Sequence, residues 1–260
     1  MEKSIIQGEL WGKTPKGWAE IQEPMHLPLW NAMLNASNVG KGTTLLDIGC
    51  GGGGSSILAY NRGALVSGID PAEGLLKFAR KRVPSGDFRV GDMENLPFDD
   101  NSFDLVFAAN AVQYSEDRIN ALKEFSRVCK PGGKIVAGLF AEPEKVEFNA
   151  VFKALGEIMQ KPSSGGGPFE LSMPGKFEAL FEKAGLNVTQ TGEINCPFHY
   201  PNFEVFWEGN VAAGPFQGMI KVVDEEILKE SVKRATIIFL QANGEILIQP
   251  NIFKYVVAKI

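Results

Sequence analysis

The run Thr43-Thr44-Leu45-Leu46-Asp47-Ile48-Gly49-Cys50-Gly51-Gly52-Gly53-Gly54-Ser55-Ser56 constrains the fold of this chain more than any other stretch. Leu45, Leu46 and Ile48 form a short apolar run of the kind found in a parallel strand buried on both faces. That strand breaks into a glycine-rich turn, and a helix is expected to start near Ser55. Glycine allows positive φ in such a turn, and without a Cβ it lets a ligand approach the backbone. The following helix offers that ligand its first N–H groups and the positive end of its dipole.

From residue 43 onward, strand and helix signals alternate. Strands are expected at 43–48, 65–70, 88–90, 103–108 and 134–140, and helices at 55–62, 72–82 and 116–129. This alternation predicts an α/β fold with a parallel, doubly wound sheet. The pattern then lapses. An amphipathic helix is expected near 146–159, a Gly/Ser-rich loop at 162–168, a helix at 174–184 and a strand at 186–195. Residues 201–240 look helical in two pieces, near 202–212 and 224–240. Asn243-Gly244 marks a turn, and 252–259 reads as a final strand. Residues 4–35 carry Trp11, Trp18 and Trp30 with prolines at 15, 24 and 28, which predicts short helices and turns. That arm either packs its tryptophans on the core or forms a lid over a ligand.

A length of 260 residues suits one large domain, here 1–260. The expected division is an arm at 1–42, a core at 43–140, and cap insertions at 141–173 and 197–248. The formal net charge of −5 argues against nonspecific nucleic-acid binding. The start MEKSIIQGEL has no apolar signal core, and no apolar run approaches membrane-spanning length. The expectation is a cytoplasmic protein, monomer or homodimer, with no nucleic-acid or membrane partner. Cys50, Cys129 and Cys196 are far apart and lack a CxxC pair, so reduced thiols are expected, with no metal site.

Glycine spacing alone is ambiguous. Gly49-x-Gly51-x-x-Gly54 fits a dinucleotide fingerprint, and Gly49-x-Gly51-x-Gly53 fits a different one. The surrounding acids carry more information. Asp47 precedes the glycines, where a pyrophosphate gains little from a negative charge but an amine and a sulfonium gain. Asp70 ends the second strand, where a ribose-binding carboxylate belongs. Asp92 follows the third strand in Gly91-Asp92-Met93.

The blocks LLDIGCGGGG, VSGIDPAEGLL, GDMENLPFDDNSFDLVFAANAVQY and LKEFSRVCKPGGKIVAG resemble, in order and spacing over about 43–140, the class I S-adenosylmethionine-dependent methyltransferases of the small-molecule group called methyltransferase type 11. The arm and tail are similar more weakly. The resemblance implies a Rossmann-like seven-stranded sheet whose last strand is antiparallel, and S-adenosyl-L-methionine as cofactor. It implies that Asp47, Gly49, Gly51 and Gly53 hold the methionine part. Asp70 would take the ribose hydroxyls, with Pro71 packing on the adenine. Asp92 and Met93 would meet the adenine edge and face. Asn110 and Gln113 would line the site near the amino-acid portion. The bland reading of Asp47 and Asp70 is helix capping or turn formation.

Ala109-Asn110-Ala111-Val112 is not the Asn-Pro-Pro-Tyr of DNA-adenine and glutamine methyltransferases, and no Pro-Cys pair marks a cytosine nucleophile. The acceptor is therefore expected to be a small molecule, hydrophobic or aromatic, methylated on O, N or C. The aromatic residues of the cap suit such an acceptor. A general base is needed only where the acceptor loses a proton. Candidates are His26 and His199, the two histidines, and Glu23 in the arm. Two rival classes are a protein that binds S-adenosylmethionine without transferring its methyl group and an NAD(P)-dependent oxidoreductase using the same loop.

Overall fold

The structure is a computed structural model that describes residues 2–159 and 169–260. The loop expected at 162–168 lies outside the described residues. The strand leading into the glycine turn is β1 (Thr44–Ile48), and it sits inside the sheet. It is followed by β2 (Leu65–Asp70), β3 (Asp87–Val90), β4 (Phe103–Ala109), β5 (Cys129–Phe140), β6 (Asn187–Asn195), β7 (Phe198–Tyr200), β8 (Ile246–Ile248) and β9 (Ile252–Lys259). Seven of these form one sheet in the order β3-β2-β1-β4-β5-β9-β6. The pairs from β3 through β5 are parallel. β9 runs antiparallel between β5 and β6. The fold is the expected Rossmann-like, doubly wound α/β sheet with an inserted antiparallel strand.

Alternate strand residues enter two different cores, as a period of two requires. Leu45, Phe107, Val136 and Val257 pack on one face, beneath α3 (Leu27–Ala36), α4 (Gly54–Asn61) and α5 (Glu73–Arg82). Leu46, Val106, Ile135 and Val256 pack on the other, against α6 (Arg118–Val128) and α8 (Lys176–Lys183). Phe107 and Phe125 are fully buried, which contributes roughly 2–3 kcal/mol each in area removed from water.

The remaining helices are α1 (Glu2–Trp11), α2 (Pro15–Gly17), α7 (Asn149–Ile158), α9 (Phe203–Val211), α10 (Gly214–Ile220) and α11 (Glu225–Thr236). The two helical pieces expected over 201–240 are three. Pro215 begins α10, so the chain restarts a helix rather than continuing one. The prolines of the arm act likewise. Pro15, Pro24 and Pro28 each fall in the first turn of a new helical segment, and residues 15–36 climb through successive turns of changing pitch. β5 begins earlier than expected, at Cys129, with Gly132 at φ +81°. β7 and β8 form a small antiparallel sheet absent from the sequence reading. Three residues are too few to show a period, and the partners are far apart in sequence.

The chain leaves β1 toward β2 and β3, then returns to the opposite side of β1 as β4. This reversal opens a crevice beyond the carboxyl ends of β1 and β4, where doubly wound sheets bind ligands.

Candidate active site

The crevice is the floor of a cavity of about 620 Å³. Gly49, just past β1, has φ +65°, and a Cβ there would lie 2.7 Å from the Ala111 Cβ beyond β4. Glycine at this position lets the two strand ends meet. Gly51 also has positive φ, and its amide N–H donates to Asp70 Oδ2 at 2.9 Å. The Ala72 N–H donates to the other carboxylate oxygen at 2.8 Å. Asp70 thus holds the loop after β1 to the end of β2 while lining the cavity. Its burial pushes the carboxyl pKa up to about 6, against the lowering effect of the two amides.

Asp47 lies behind the loop. It is buried and does not line the cavity. Its Oδ2 accepts from Ser55 Oγ at 2.6 Å and Ser56 Oγ at 2.7 Å, which ties β1 to the first turn of α4. Burial raises it to about 6 in spite of both hydroxyls. Gly53 is likewise behind the wall. Its φ is +81°, and a Cβ would stand 2.8 Å from the Ala79 Cα of α5.

The other expected cofactor residues converge on the cavity. Pro71, Asp92, Met93, Asn110 and Gln113 all line it. Asn110 adopts φ +57°, and its amide N–H donates to the Gly138 carbonyl at 2.8 Å. Its Oδ1 and the Gln113 Oε1 are buried without a hydrogen-bond partner. Asp92 Oδ1 accepts the Glu94 N–H at 3.0 Å, a turn that presents Met93 and Glu94 to the same space.

The arm roofs this end. Gly8 lies against the Pro71 carbonyl, and Trp18 lies against Gly51. Glu23 Oε1 accepts the Gly52 N–H at 2.6 Å, and its Oε2 is ion-paired with Arg82. Burial pushes the Glu23 carboxyl up to about 7, with Arg82 acting in the opposite direction.

Farther along, the cavity becomes aromatic. Phe140, Phe148, Phe152, Phe198 and Phe216 line it, brought from β5, α7, β7, α10 and the turn before α7. His26 marks the boundary between the two ends. Its ring stacks on Trp30 at 5.8 Å and sits 5.9 Å from Trp18 and 5.7 Å from Phe198. Burial lowers its pKa to about 4, so the ring is neutral near pH 7.

His199 is elsewhere. It is exposed on β7, its Nε2 lies 2.9 Å from Glu245 Oε2, and it does not line the cavity. Alternation along a three-residue strand explains this. Phe198 and Tyr200 point inward, so His199 points out. Conversely, the sequence reading did not find Gln22 or Asn210, which line the cavity, nor Arg82, which braces it. One signal was present. Trp18, Gln22, His26 and Trp30 recur every four residues and face the same cavity.

Residues 46–137 match the family model described as a methyltransferase domain. A demethylmenaquinone methyltransferase from Renibacterium salmoninarum is 36% identical over 137 residues, covering 51% of this chain and 58% of that protein. A malonyl-acyl-carrier-protein O-methyltransferase from Yersinia pestis is 41% identical over 101 residues, covering 39% of this chain and 38% of that protein. The chain spans about half the length of the curated relatives it matches. The structure of Haemonchus contortus phosphoethanolamine N-methyltransferase 2 in complex with S-adenosyl-L-methionine has a TM-score of 0.55 at 20% identity. It covers 89% of this chain and 52% of that one, and the likeness is one of fold. The strand order and the inserted β9 agree with the match that runs from β1 into β5, and residues 46–137 are a methyltransferase domain.

Proposed function

We propose that the protein transfers the methyl group of S-adenosylmethionine to a small, hydrophobic acceptor. The observation that carries this reading is the continuity of the cavity. The same space is lined by Gly49, Asp70 and Asn110 at one end and by Phe148 and Phe198 at the other. A donor and an acceptor bound there would share one volume.

The residues present fit the cofactor. Asn110 Oδ1 and Gln113 Oε1 are buried acceptors lacking donors, which an amine would supply. Gly49 and Gly51 leave the backbone bare at the loop. Asp70 is an acid at the end of β2, suited to ribose hydroxyls, and Asp92 with Met93 suits the adenine. Asp47 acts from behind, holding the turn of α4 through Ser55 and Ser56. When bound, the cofactor supplies a methyl group already activated on a positively charged sulfur. The chain then has to hold the acceptor in line and exclude water, and orientation of this kind is worth effective molarities of roughly 10⁵ M or more. The arm supports the second task, since Trp18, Glu23 and Trp30 close over the loop. The curated relatives are named for unlike acceptors, so the acceptor end here is read from its own residues. The three cysteines are all free and buried, which suits the reducing cytoplasm.

The test is incubation of purified protein with methyl-labelled S-adenosylmethionine and a metabolite extract. A labelled small molecule is expected. Label found in protein or RNA alone overturns the acceptor class, and calorimetry showing NAD binding without S-adenosylmethionine binding overturns the reading altogether.

A further inference from the structure

We infer that the acceptor is an uncharged aromatic hydroxyl compound whose O–H donates to Nε2 of His26, the general base; this rests on the methyltransferase reading above.

The tautomer comes first. His26 Nδ1 lies 3.1 Å from the Gln22 carbonyl oxygen. A carbonyl only accepts, so Nδ1 carries the hydrogen and Nε2 keeps its lone pair. No other hydrogen bond to this ring occurs among the described residues. Trp18, Trp30, Phe198 and Phe253 surround the ring and fix its orientation, and none of them donates a hydrogen bond to it. The result is a neutral, pre-aimed acceptor in an aromatic box.

The position comes second. Trp18 touches Gly51 of the cofactor loop and His26 in turn, and His26 touches Phe198 of the aromatic end. The base therefore stands where the two halves of the cavity meet.

Charge comes third. Two of the polar groups that line the cavity, Gln22 and Asn210, are neutral amides. Glu23 is engaged by Arg82 and the Gly52 N–H. Glu170, next to Phe169 at the aromatic end, is ion-paired with Arg118 at 2.9 Å, Lys3 donates to the Ser115 carbonyl, and Glu94 accepts the Glu116 N–H. A carboxylate or ammonium on the acceptor would be stripped of water beside charges that are already engaged, which is unfavourable. A neutral ring with one hydroxyl has both its body and its polar handle met.

The chemistry balances. The hydroxyl oxygen bonds to the methyl carbon through a lone pair as that carbon's bond to sulfur breaks, and the electron pair of the broken bond stays on sulfur as a neutral thioether. The hydroxyl proton passes to His26 Nε2 and from there to water.

The test uses four probes sharing one ring system: β-naphthol, naphthalene, β-naphthoate and β-naphthylmethylammonium, each titrated calorimetrically at neutral pH. β-Naphthol is expected to bind about tenfold more tightly than either charged probe. In nitrogen NMR of ring-labelled histidine, the His26 Nε2 resonance should move on adding β-naphthol, while that of His199, the other histidine, stays still as an internal control. His26→Phe should weaken β-naphthol about tenfold, leave naphthalene unchanged, and cut label transfer to β-naphthol about 100-fold. Equal or tighter binding of a charged probe, a still Nε2 resonance, or no β-naphthol binding overturns the inference. If His26→Phe does not fold, the wild-type resonance still decides. Loss of S-adenosylmethionine binding alone, with His26-dependent β-naphthol binding retained, sinks the transferase reading and leaves the pocket assignment standing.

Discussion

Glu23 Oε1 accepts the backbone N–H of Gly52 at 2.6 Å, which joins the arm to the glycine loop by a buried hydrogen bond. Arg82 completes the joint. Its guanidinium pairs with the other Glu23 oxygen and donates to the Gly52 carbonyl at 2.8 Å and the Ala19 carbonyl at 2.5 Å. One arginine from α5 thus bridges the roof and the loop.

Arg82→Ala should loosen that roof. It leaves Glu23 buried without its partner, at a cost of about 3 kcal/mol. Amide exchange across 15–36 should accelerate while β1, β4 and β5 remain protected, and S-adenosylmethionine should bind about tenfold more weakly. Unchanged exchange in the arm would show that this pair is not what holds it.

The loop acids set a pH dependence with a definite sign. Burial raises Asp47 and Asp70 from 3.8 to about 6 in the folded protein. A raised folded pKa contributes stability that is fully present below the unfolded value of 3.8 and is lost as pH rises through about 6. The ligand-free protein therefore carries a penalty at neutral pH, and Asp47→Asn, which keeps an oxygen for Ser55 and Ser56, should raise stability by about 2 kcal/mol. Cofactor affinity should run the other way, falling as pH drops below about 6, because a protonated Asp70 is a poorer acceptor for ribose hydroxyls and for the Gly51 N–H that fixes the loop. Calorimetry across that window checks both signs, and an affinity flat through it contradicts the role of the acids.

Gly53 tests the backbone rather than the chemistry. Alanine there meets both a φ of +81° and the Ala79 Cα at 2.8 Å. Gly53→Ala should cost about 2 kcal/mol in urea unfolding, because the obstacle is main chain and cannot swing aside. Gly132, also at positive φ, has nothing within 4 Å of its Cβ position, so Gly132→Ala should cost less.

His199 offers the contrast to His26. It is half-exposed and faces Glu245. His199→Ala should leave kcat, KM and the melting temperature unchanged within error. A large fall in kcat would return this residue to the site.

Much of the glycine-loop half of the cavity was legible in the amino-acid order, because its signals are local. The apolar run of β1, the glycines after it and the acids after β2 and β3 occupy strand ends wherever a parallel sheet forms. Their neighbours in space are the next strand ends. The resemblance over 43–140 drew on the same stretches.

The aromatic half had no such local sign. Tyr200 donates to Gln22 Oε1 across 178 residues, and Arg82 reaches Glu23 across 59. Composition showed many aromatics in the cap, but not which of them face inward. Two histidines looked equivalent in the chain, and the strand pleat at Phe198–Tyr200 together with helical spacing from Trp18 to Trp30 sent one outward and one into the cavity. Asp47 looked like a ligand contact, and packing set it behind Ser55 and Ser56. Sequence period determines the face a residue takes on its own element. Which faces then meet is decided only when non-local burial outweighs the chain entropy of bringing distant segments together.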